Sequence, residues 1–446
     1  MTVVGLDDTD SRERGMCTTY VAARVADELR QFGDVERLLL VRLNPAVEYK
    51  TRGNAALAIH VDCDAETAFS VARDELESLA ETADDRTNPG LVVAGHDPDD
   101  VPGSVAAFAR EAVRDHLEIA DAEATIDAAG YRGWGLGNGR GRIGALAAVG
   151  SWTALEEWTY EYISYREPER WGTPRTVDHE SVFAAADRGY PEAWDTVDCG
   201  EDETVCVPHT PGPILHGIRG DDPDVVREVA GRIESEPVDR TQLFVTNQGT
   251  DAHLRDGSIA DARDGRAYRL EGTVATDPET RRGGHVFFAL EASTERRTVD
   301  RSGGSNASEE SGVPRADGDG RLECAAFEPT KRFRDRVRAL RVGDRLTVCG
   351  EVSRGTCKLE KFAVRDLVRT ERVTPTCPDC GRSMESAGRD QGYRCRDCGT
   401  TAAGKAEVEL ERDLEEGWYE VPPCARRHVA KPLVRGGFDA ATHPER

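Results

Sequence analysis

Lysine is nearly missing from this chain of 446 residues: of its 58 basic residues only Lys50, Lys331, Lys358, Lys361, Lys405 and Lys431 are lysines, and three methionines are present in all. Basic residues are also outnumbered, since 83 Asp+Glu leave a formal net charge of −25. Such a surface suits a salt-rich cytoplasm, where screening removes the self-repulsion that destabilises a charged fold. The protein is therefore expected to come from a halophile. Global acidity does not exclude a nucleic-acid partner in that setting, and only local basic patches are informative. No apolar run reaches the ~18 residues of a membrane span, and the N-terminus reads as a strand rather than a charged-then-apolar leader, so no membrane association and a cytoplasmic location are expected. Twelve cysteines are scattered except for four, and in a reducing compartment four clustered cysteines read as metal ligands rather than disulfides.

What is present is organised around the first twenty residues, MTVVGLDDTDSRERGMCTTY. Val3, Val4 and Leu6 predict a buried strand; Asp7, Asp8, Thr9, Asp10, Ser11 and Gly15 form the loop after it; Thr18 and Thr19 open a helix. The spacing of Val21, Val25, Leu29 and Phe32 predicts the helix stripe that packs on the sheet, with Gly33 as its stop. Clustered carboxylates at a strand end, followed by hydroxyls at a helix N-terminus, can hold a metal and a phosphate. Composition alone also produces acidic clusters in so acidic a chain, and Thr18 can equally be only a cap. The D-x-D pattern further suggests a haloacid-dehalogenase-like phosphatase with Asp8 as nucleophile and Asp10 as acid, but Arg12 stands where that pattern wants Thr or Val.

The length accommodates about three domains at 100–200 residues each. Strands are expected at 35–43 and 55–61, with Lys50 and Arg52 in the loop between them as candidate phosphate contacts. Residues 64–129 carry 17 acids against four arginines, which argues against their gripping RNA backbone alone. Their pattern reads as helix 66–80, strand 91–94 and helix 104–116, a small ferredoxin-like layer inserted into the first domain. Seven glycines between Gly130 and Gly144, Gly139 and Gly141 among them, either expose backbone N–H groups to a phosphate or allow tight helix packing. The literal G-x-G-x-x-G there is not read as a Rossmann fingerprint. Aromatics crowd 151–175 (Trp152, Trp158, Tyr160, Tyr162, Tyr165, Trp171), either as walls for a flipped base or as core, and the polar stretch FVTNQGTDAHL (244–254) reads as an active-site loop.

From Tyr268 the pattern turns to β. Alternating strands at 268–274, 285–290, 322–327, 346–352 and 359–364, with an amphipathic helix bearing Phe333, Val337 and Leu340 between the third and fourth, read as an OB-fold barrel. Residues 293–320 read as disordered. KRFRDRVRALRVGDR (331–345) holds seven basic residues and two acids, and VPPCARRHVAKPLVR (421–435) four basic residues and no acid. Cys377-x-x-Cys380 and Cys395-x-x-Cys398, each with glycine after the second cysteine, have the spacing of a structural zinc ribbon, whose four thiolates leave no open position for chemistry. The expected fold class is multidomain α+β: an N-terminal α/β kinase-like domain (1–62 and 131–262) with an inserted ferredoxin-like layer (63–130), an OB-fold β-barrel (263–370), a zinc ribbon (371–403) and a basic C-terminal tail (404–446).

Five motifs in order, GLDDTDSRERGMCTTY, RLNPAVEYKTRGNAAL, GLGNGRGRIGALAAVG, CVPHTPGPILHGIRG and FVTNQGTDAHL, resemble those of archaeal isoleucine-tRNA 2-agmatinylcytidine synthetases, as does the domain order. The resemblance spans essentially the whole chain; the departures are the acidic surface and the long insertion in the barrel. It implies an ATP-dependent ligase that joins agmatine to C2 of the wobble cytidine of an isoleucine tRNA with a CAU anticodon, changing decoding from AUG to AUA. It further implies Mg²⁺ on Asp7, Asp8 and Asp10, Thr18 as phosphoryl acceptor, and ATP contacts from Thr9, Ser11, Gly15, Lys50, Arg52, Gly139 and Gly141. Lys331, Arg332, Arg336, Arg426, Arg427 and Lys431 are the expected tRNA contacts. The rival expectation is a non-enzymatic nucleic-acid-binding protein in which barrel and ribbon are the function.

Overall fold

Val3, Val4 and Leu6 lie in strand β1 (Thr2–Asp7), which is buried on both faces of a sheet. The computed structural model describes residues 1–48, 53–292 and 320–446; the expectations for Lys50, Arg52 and the segment 293–319 lie outside them. After β1 come α1 (Thr18–Leu29), β2 (Val35–Arg42), β3 (Ala55–Val61), α2 (Ala65–Leu79), β4 (Gly90–Ala94), α3 (Gly103–Arg114), α4 (Ile119–Ala129), β5 (Arg132–Gly135) and α5 (Gly141–Ala154). Their strands pair antiparallel in the order β5-β4-β1-β3-β2. Side chains alternate along a strand, so Val4 and Leu6 join Val21, Val25 and Leu29 of α1 and Phe69 and Leu76 of α2 on one face. Val3 joins Leu146 and Val149 of α5 and Phe108 of α3 on the other.

Two expectations are corrected here. The helix stripe does not extend to Phe32: α1 ends at Leu29 and Phe32 is 55% exposed. Gly33 lies against Asp62, its absent Cβ leaving room for a carbonyl that would sit 1.9 Å away. Nor does the segment 63–130 form a separate inserted layer. Its strand β4 pairs directly with β1, and its helices α2 and α3 cover opposite faces of the same sheet.

A second half follows: β6 (Thr159–Arg166), α6 (His179–Gly189), β7 (Ala193–Trp194), β8 (Ile214–Gly220), α7 (Pro223–Arg232) and β9 (Val238–Thr246), with strand order β9-β6-β8-β7. A short parallel pairing, Leu39 with Val245 and Leu40 with Thr246, joins the halves into one nine-stranded sheet.

Next come β10 (Leu254–Gly257), β11 (Arg266–Val274), β12 (Glu279–Thr280), β13 (Val286–Glu291), β14 (Arg321–Ala326), α8 (Phe333–Arg338), β15 (Arg345–Ser353) and β16 (Thr356–Asp366). Strand β11 pairs with β13 and β15, β13 with β14, β14 with β16 in parallel, and β16 with β15, so five strands close a barrel. Its core includes Leu270, Phe288, Val348 and Phe362, and Phe333, Val337 and Leu340 of the α8 segment turn into it as their spacing requires. A two-stranded stalk, β17 (Thr370–Val373) with β21 (Ala406–Glu409), carries the ribbon strands β18 (Glu385–Ser386), β19 (Tyr393–Arg394) and β20 (Thr401–Ala402). Residues 404–446 are not a free tail. They complete the stalk, return as β22 (Gly417–Glu420) against β16, and add β23 (Thr442–His443) beside β22. Among the described residues no helix is long and apolar enough to cross a membrane.

Candidate functional site: an acidic cleft at the end of the first strand

Asp7 closes β1, and the chain then reverses through Asp8 at a positive φ of 60°, a conformation that Asp tolerates better than most residues. The Asp8 N–H donates to Asp7 Oδ1 at 2.7 Å, and Asp8 Oδ2 accepts the N–H of Asn88 at 3.0 Å. Ser11 donates to Asp84 Oδ2 at 2.8 Å, its N–H reaches the carbonyl of Gly15 at 2.9 Å, and Thr87 donates its hydroxyl proton to the carbonyl of Asp10 at 2.8 Å. Gly15 has φ +93°, and its backbone lies so near Gly212 that an added Cβ would be 3.2 Å from that residue's Cα. The Thr9 hydroxyl donates to Thr18 Oγ1 at 3.2 Å, which brings the first residue of α1, buried in this structure, beside the acidic loop. The brace Asp84–Asn88 was not singled out from sequence, because nothing local marks it as a partner of residues some eighty positions earlier.

The glycine-rich stretch supplies the opposite wall by close approach. An added Cβ at Gly144 would stand 1.9 Å from Asp7 Oδ2, one at Gly141 2.9 Å from Asp7 O, and one at Gly5 2.1 Å from the carbonyl oxygen of Ala145. Small residues let α5 lie directly on β1 and its carboxylate. This corrects the expectation of free N–H groups: the Gly139 N–H donates to Leu136 O at 3.0 Å and that of Gly141 to Asn88 O at 2.9 Å. Both amides are occupied, and at Gly141 and Gly144 the geometry is that of tight packing.

Between these walls lies a cleft whose empty space, open solvent at its mouth included, is about 690 Å³. Asp7, Asp8 and Asp10 line one end, and Leu43, Val47, Ala112 and Ile143 give it an apolar side. Among the described lining residues Arg140 is the only arginine or lysine. Burial, with repulsion from Asp8, holds the Asp7 carboxyl well above its ordinary range, and burial pushes Asp8 up to about 7, against the Asn88 N–H that favours its charged form. A cation between these acids would offset both penalties. Arg140 and His116 are cleft residues that the sequence reading missed; Arg140 sat unremarked inside the glycine motif.

Of the remaining motifs, RLNPAVEYKTRGNAAL supplies Leu43, Val47, Gly53, Asn54 and Ala55 to the cleft lining, whereas FVTNQGTDAHL lies outside it. Asn247 brackets Arg42 through both backbone groups, accepting its N–H at 2.7 Å and donating to its carbonyl at 3.0 Å, while Gln248 accepts from its side chain at 2.7 Å. Glu161 accepts from Arg42 and from Arg219 of β8 at 3.2 and 3.3 Å. Asp251 takes Lys361 of the barrel at 2.9 Å and the N–H of Lys431 at 2.8 Å. The 244–254 stretch thus ties the end of β2 to the barrel. Of the aromatics, Trp152 stacks on Trp158 beneath Arg37, and Tyr20 meets Tyr165 and Trp171 edge-on. None of them is among the residues lining the cleft.

Five of the six expected RNA-contacting cations have acidic partners. Arg426 is buried and held by Asp195 and Glu420; Arg427 bonds Glu360 and Glu351 at 2.5 and 2.6 Å; Arg332 bonds Glu445 and Asp198 at 2.5 and 2.9 Å. Lys331 faces Glu201 at 3.3 Å and Lys431 faces Glu157 at 3.1 Å. Arg336 is exposed, 5.6 Å above the ring of Tyr419. Arg426 is therefore corrected from a surface cation to an internal strut, because acids distant in sequence converge on it. In the ribbon the sulfurs of Cys377, Cys380, Cys395 and Cys398 lie within 4.8 Å of one another, a closed four-thiolate set that fits zinc.

Fold and site define a class: a multidomain α+β protein with an acidic, part-apolar cleft, a five-stranded barrel and a cysteine ribbon. The family models for the TiaS TCKD domain, the TiaS FLD domain and the TiaS C-terminal zinc ribbon domain match residues 3–63, 139–253 and 374–414. The isoleucine-tRNA 2-agmatinylcytidine synthetase TiaS of Haloquadratum walsbyi is 55% identical over 100% of both chains, and that of Methanosarcina mazei 46% over 97% of each. A solved complex of TiaS with its isoleucine tRNA and ATP superposes with TM-score 0.85 at 40% identity, covering 100% of this chain and 99% of that one. A complex of TiaS with the same tRNA, AMPCPP and agmatine gives 0.82 at 37% identity, covering 100% and 99%. This chain belongs to the TiaS family of isoleucine-tRNA 2-agmatinylcytidine synthetases.

Proposed function

We propose that this protein uses ATP to join agmatine to C2 of the wobble cytidine of an isoleucine tRNA with a CAU anticodon, so that the product reads AUA instead of AUG. The observation that carries the reading is the acid-lined cleft at the end of β1 in a chain that matches TiaS synthetases from end to end. Oxygen O2 of cytosine is a poor leaving group. Transfer of a phosphoryl group from ATP to O2 makes it a good one; the amine of agmatine then adds at C2, and the C2–O2 bond breaks with phosphate carrying O2 away.

Asp7, Asp8 and Asp10 would hold Mg²⁺, which supplies charge neutralisation on the phosphates. The fit rests on two carboxyls whose pKa values burial raises and on a single described lining arginine, Arg140. In this reading Thr18 beside them is a transient acceptor on the way from ATP to O2: its Oγ1 takes the phosphoryl group as ADP leaves and then gives it up to O2, and Thr9, whose hydroxyl donates to Thr18 Oγ1, orients it. Leu43, Val47, Ala112 and Ile143 receive the flipped base and exclude water from the reacting atoms. The five-stranded barrel, read as an OB-fold, is taken with the ribbon as the tRNA-gripping part. The full-length likeness to synthetases favours this over a purely binding role. The test is incubation with ATP, agmatine and tRNA transcripts followed by nucleoside mass spectrometry. The agmatine adduct should require all three and a cytidine at the wobble position; its absence from the complete reaction refutes the proposal.

A further inference from the structure

Asn88, between α2 and β4 and outside the cleft lining, touches both walls of the site. Its N–H donates to Asp8 Oδ2 at 3.0 Å, and its carbonyl accepts the N–H of Gly141, the first residue of α5, at 2.9 Å. Its Oδ1 accepts the N–H of Asn138 at 2.9 Å, and Asn138 Oδ1 in turn accepts the N–H of Arg140 at 2.9 Å. Its Nδ2 donates to the carbonyl of Arg86 at 3.0 Å, which holds the side chain in one orientation. The glycine loop is shaped around it: Gly137 stands at φ +61°, and a Cβ there would collide with Asn88 Oδ1 at 2.3 Å. The residue is 7% exposed, so no water replaces a lost partner cheaply.

We infer that Asn88 is a positioning residue for the phosphoryl-transfer step, fixing the Arg140–Gly141 start of α5 opposite the Asp8 carboxylate. The inference rests on the proposed role of the acidic cleft. A carboxamide is the group this place requires, because it must accept the Asn138 N–H and donate to the Arg86 carbonyl at once. The acid on one wall and the arginine on the other act on the same phosphates only if their separation is held, and a displacement of about 1 Å at such a site costs of order 10²-fold in rate.

The test measures agmatine incorporation, with kcat and KM for ATP and for tRNA determined separately, in Asn88→Ala, Asn88→Asp and Asp8→Asn, alongside thermal unfolding. Asn88→Ala is expected to lower kcat/KM for ATP about 10- to 100-fold, with KM for tRNA within about threefold and folding retained. Asn88→Asp keeps the acceptor for Asn138 and should recover part of the loss. Unchanged kcat/KM in Asn88→Ala, or equal losses for ATP and tRNA that follow the unfolding temperature, would overturn the inference, as would Asn88→Asp faring no better than Asn88→Ala. Asp8→Asn separates the two levels: if it stays active, the cleft reading and this inference both fall; if it is dead while Asn88→Ala is normal, only this inference falls.

Discussion

Gly144→Ala adds one methyl group where the structure leaves no room for it. Its Cβ would lie 1.9 Å from Asp7 Oδ2, 2.6 Å from Cγ and 3.0 Å from Cβ, where ordinary contact begins near 3.4 Å, so a gap of about 1.5 Å must open. Neither side yields freely. Asp7 sits in a strand paired with β4 opposite Gly90, and α5 rests on β1 through the Gly5–Ala145 contact. Overpacking of this kind costs about 1–3 kcal/mol, from which alanine recovers about 0.5–1 kcal/mol of helix propensity. The net stability loss is small or moderate, whereas a carboxylate displaced by about 1 Å costs of order 10²-fold in rate. Turnover should therefore collapse at temperatures where the variant is folded. The assay pairs thermal unfolding with agmatine-incorporation kinetics, and Gly231→Ala in α7, where a Cβ meets nothing within 4 Å, serves as the control with normal activity. Wild-type turnover in folded Gly144→Ala would refute the claim that the Asp7 carboxylate must stay where it is.

The Asp8 carboxyl, raised to about 7 by burial, binds a proton in the native state that the unfolded chain has released above about 4. Its stabilising contribution is present below that range and is lost as pH climbs through 7. Without metal, Asp8→Asn should gain in melting temperature over wild type between pH 5 and 7.5, and added Mg²⁺ should narrow that gap; a pH-independent difference would contradict the burial argument. Arg426→Ala leaves Asp195 and Glu420 buried without their partner and should cost about 3–5 kcal/mol, measured by denaturant unfolding. Exposed Arg336→Ala should instead leave stability intact, weaken tRNA binding and lower the salt slope by about 0.7–0.9, whereas an unchanged slope removes Arg336 from the RNA surface. Zinc analysis should find about one ion per chain, lost in Cys377→Ser. Because Cys377, Met384 and Cys395 form a hydrophobic cluster separate from that of the barrel, the barrel should melt as before; loss of the whole fold would count against an independent ribbon.

Periodicity and spacing determined whatever depends on neighbours in sequence. The five barrel strands and the inward face of Phe333, Val337 and Leu340 follow from alternation and from the helical repeat, and the cysteine ribbon follows from two C-x-x-C pairs. The strand that ends in Asp7 and the helix that opens at Thr18 were likewise legible in a local pattern, and the family was legible in five motifs kept in order. Tertiary structure alone decided three other matters. Strand β4 lies beside β1, a pairing that an acidic stretch between two helices does not advertise. Glycines 141 and 144 let α5 approach β1, and the Gly141 N–H is taken, because whether an N–H is free depends on a carbonyl that can lie fifty residues away, here that of Asn88. Charge is the third: a run such as Ala425-Arg426-Arg427 is basic on paper, but Coulomb attraction acts through space, and folding brings Asp195, Glu351, Glu360 and Glu420 around it. Local sequence states which charges exist; only the packed chain decides which of them face a partner.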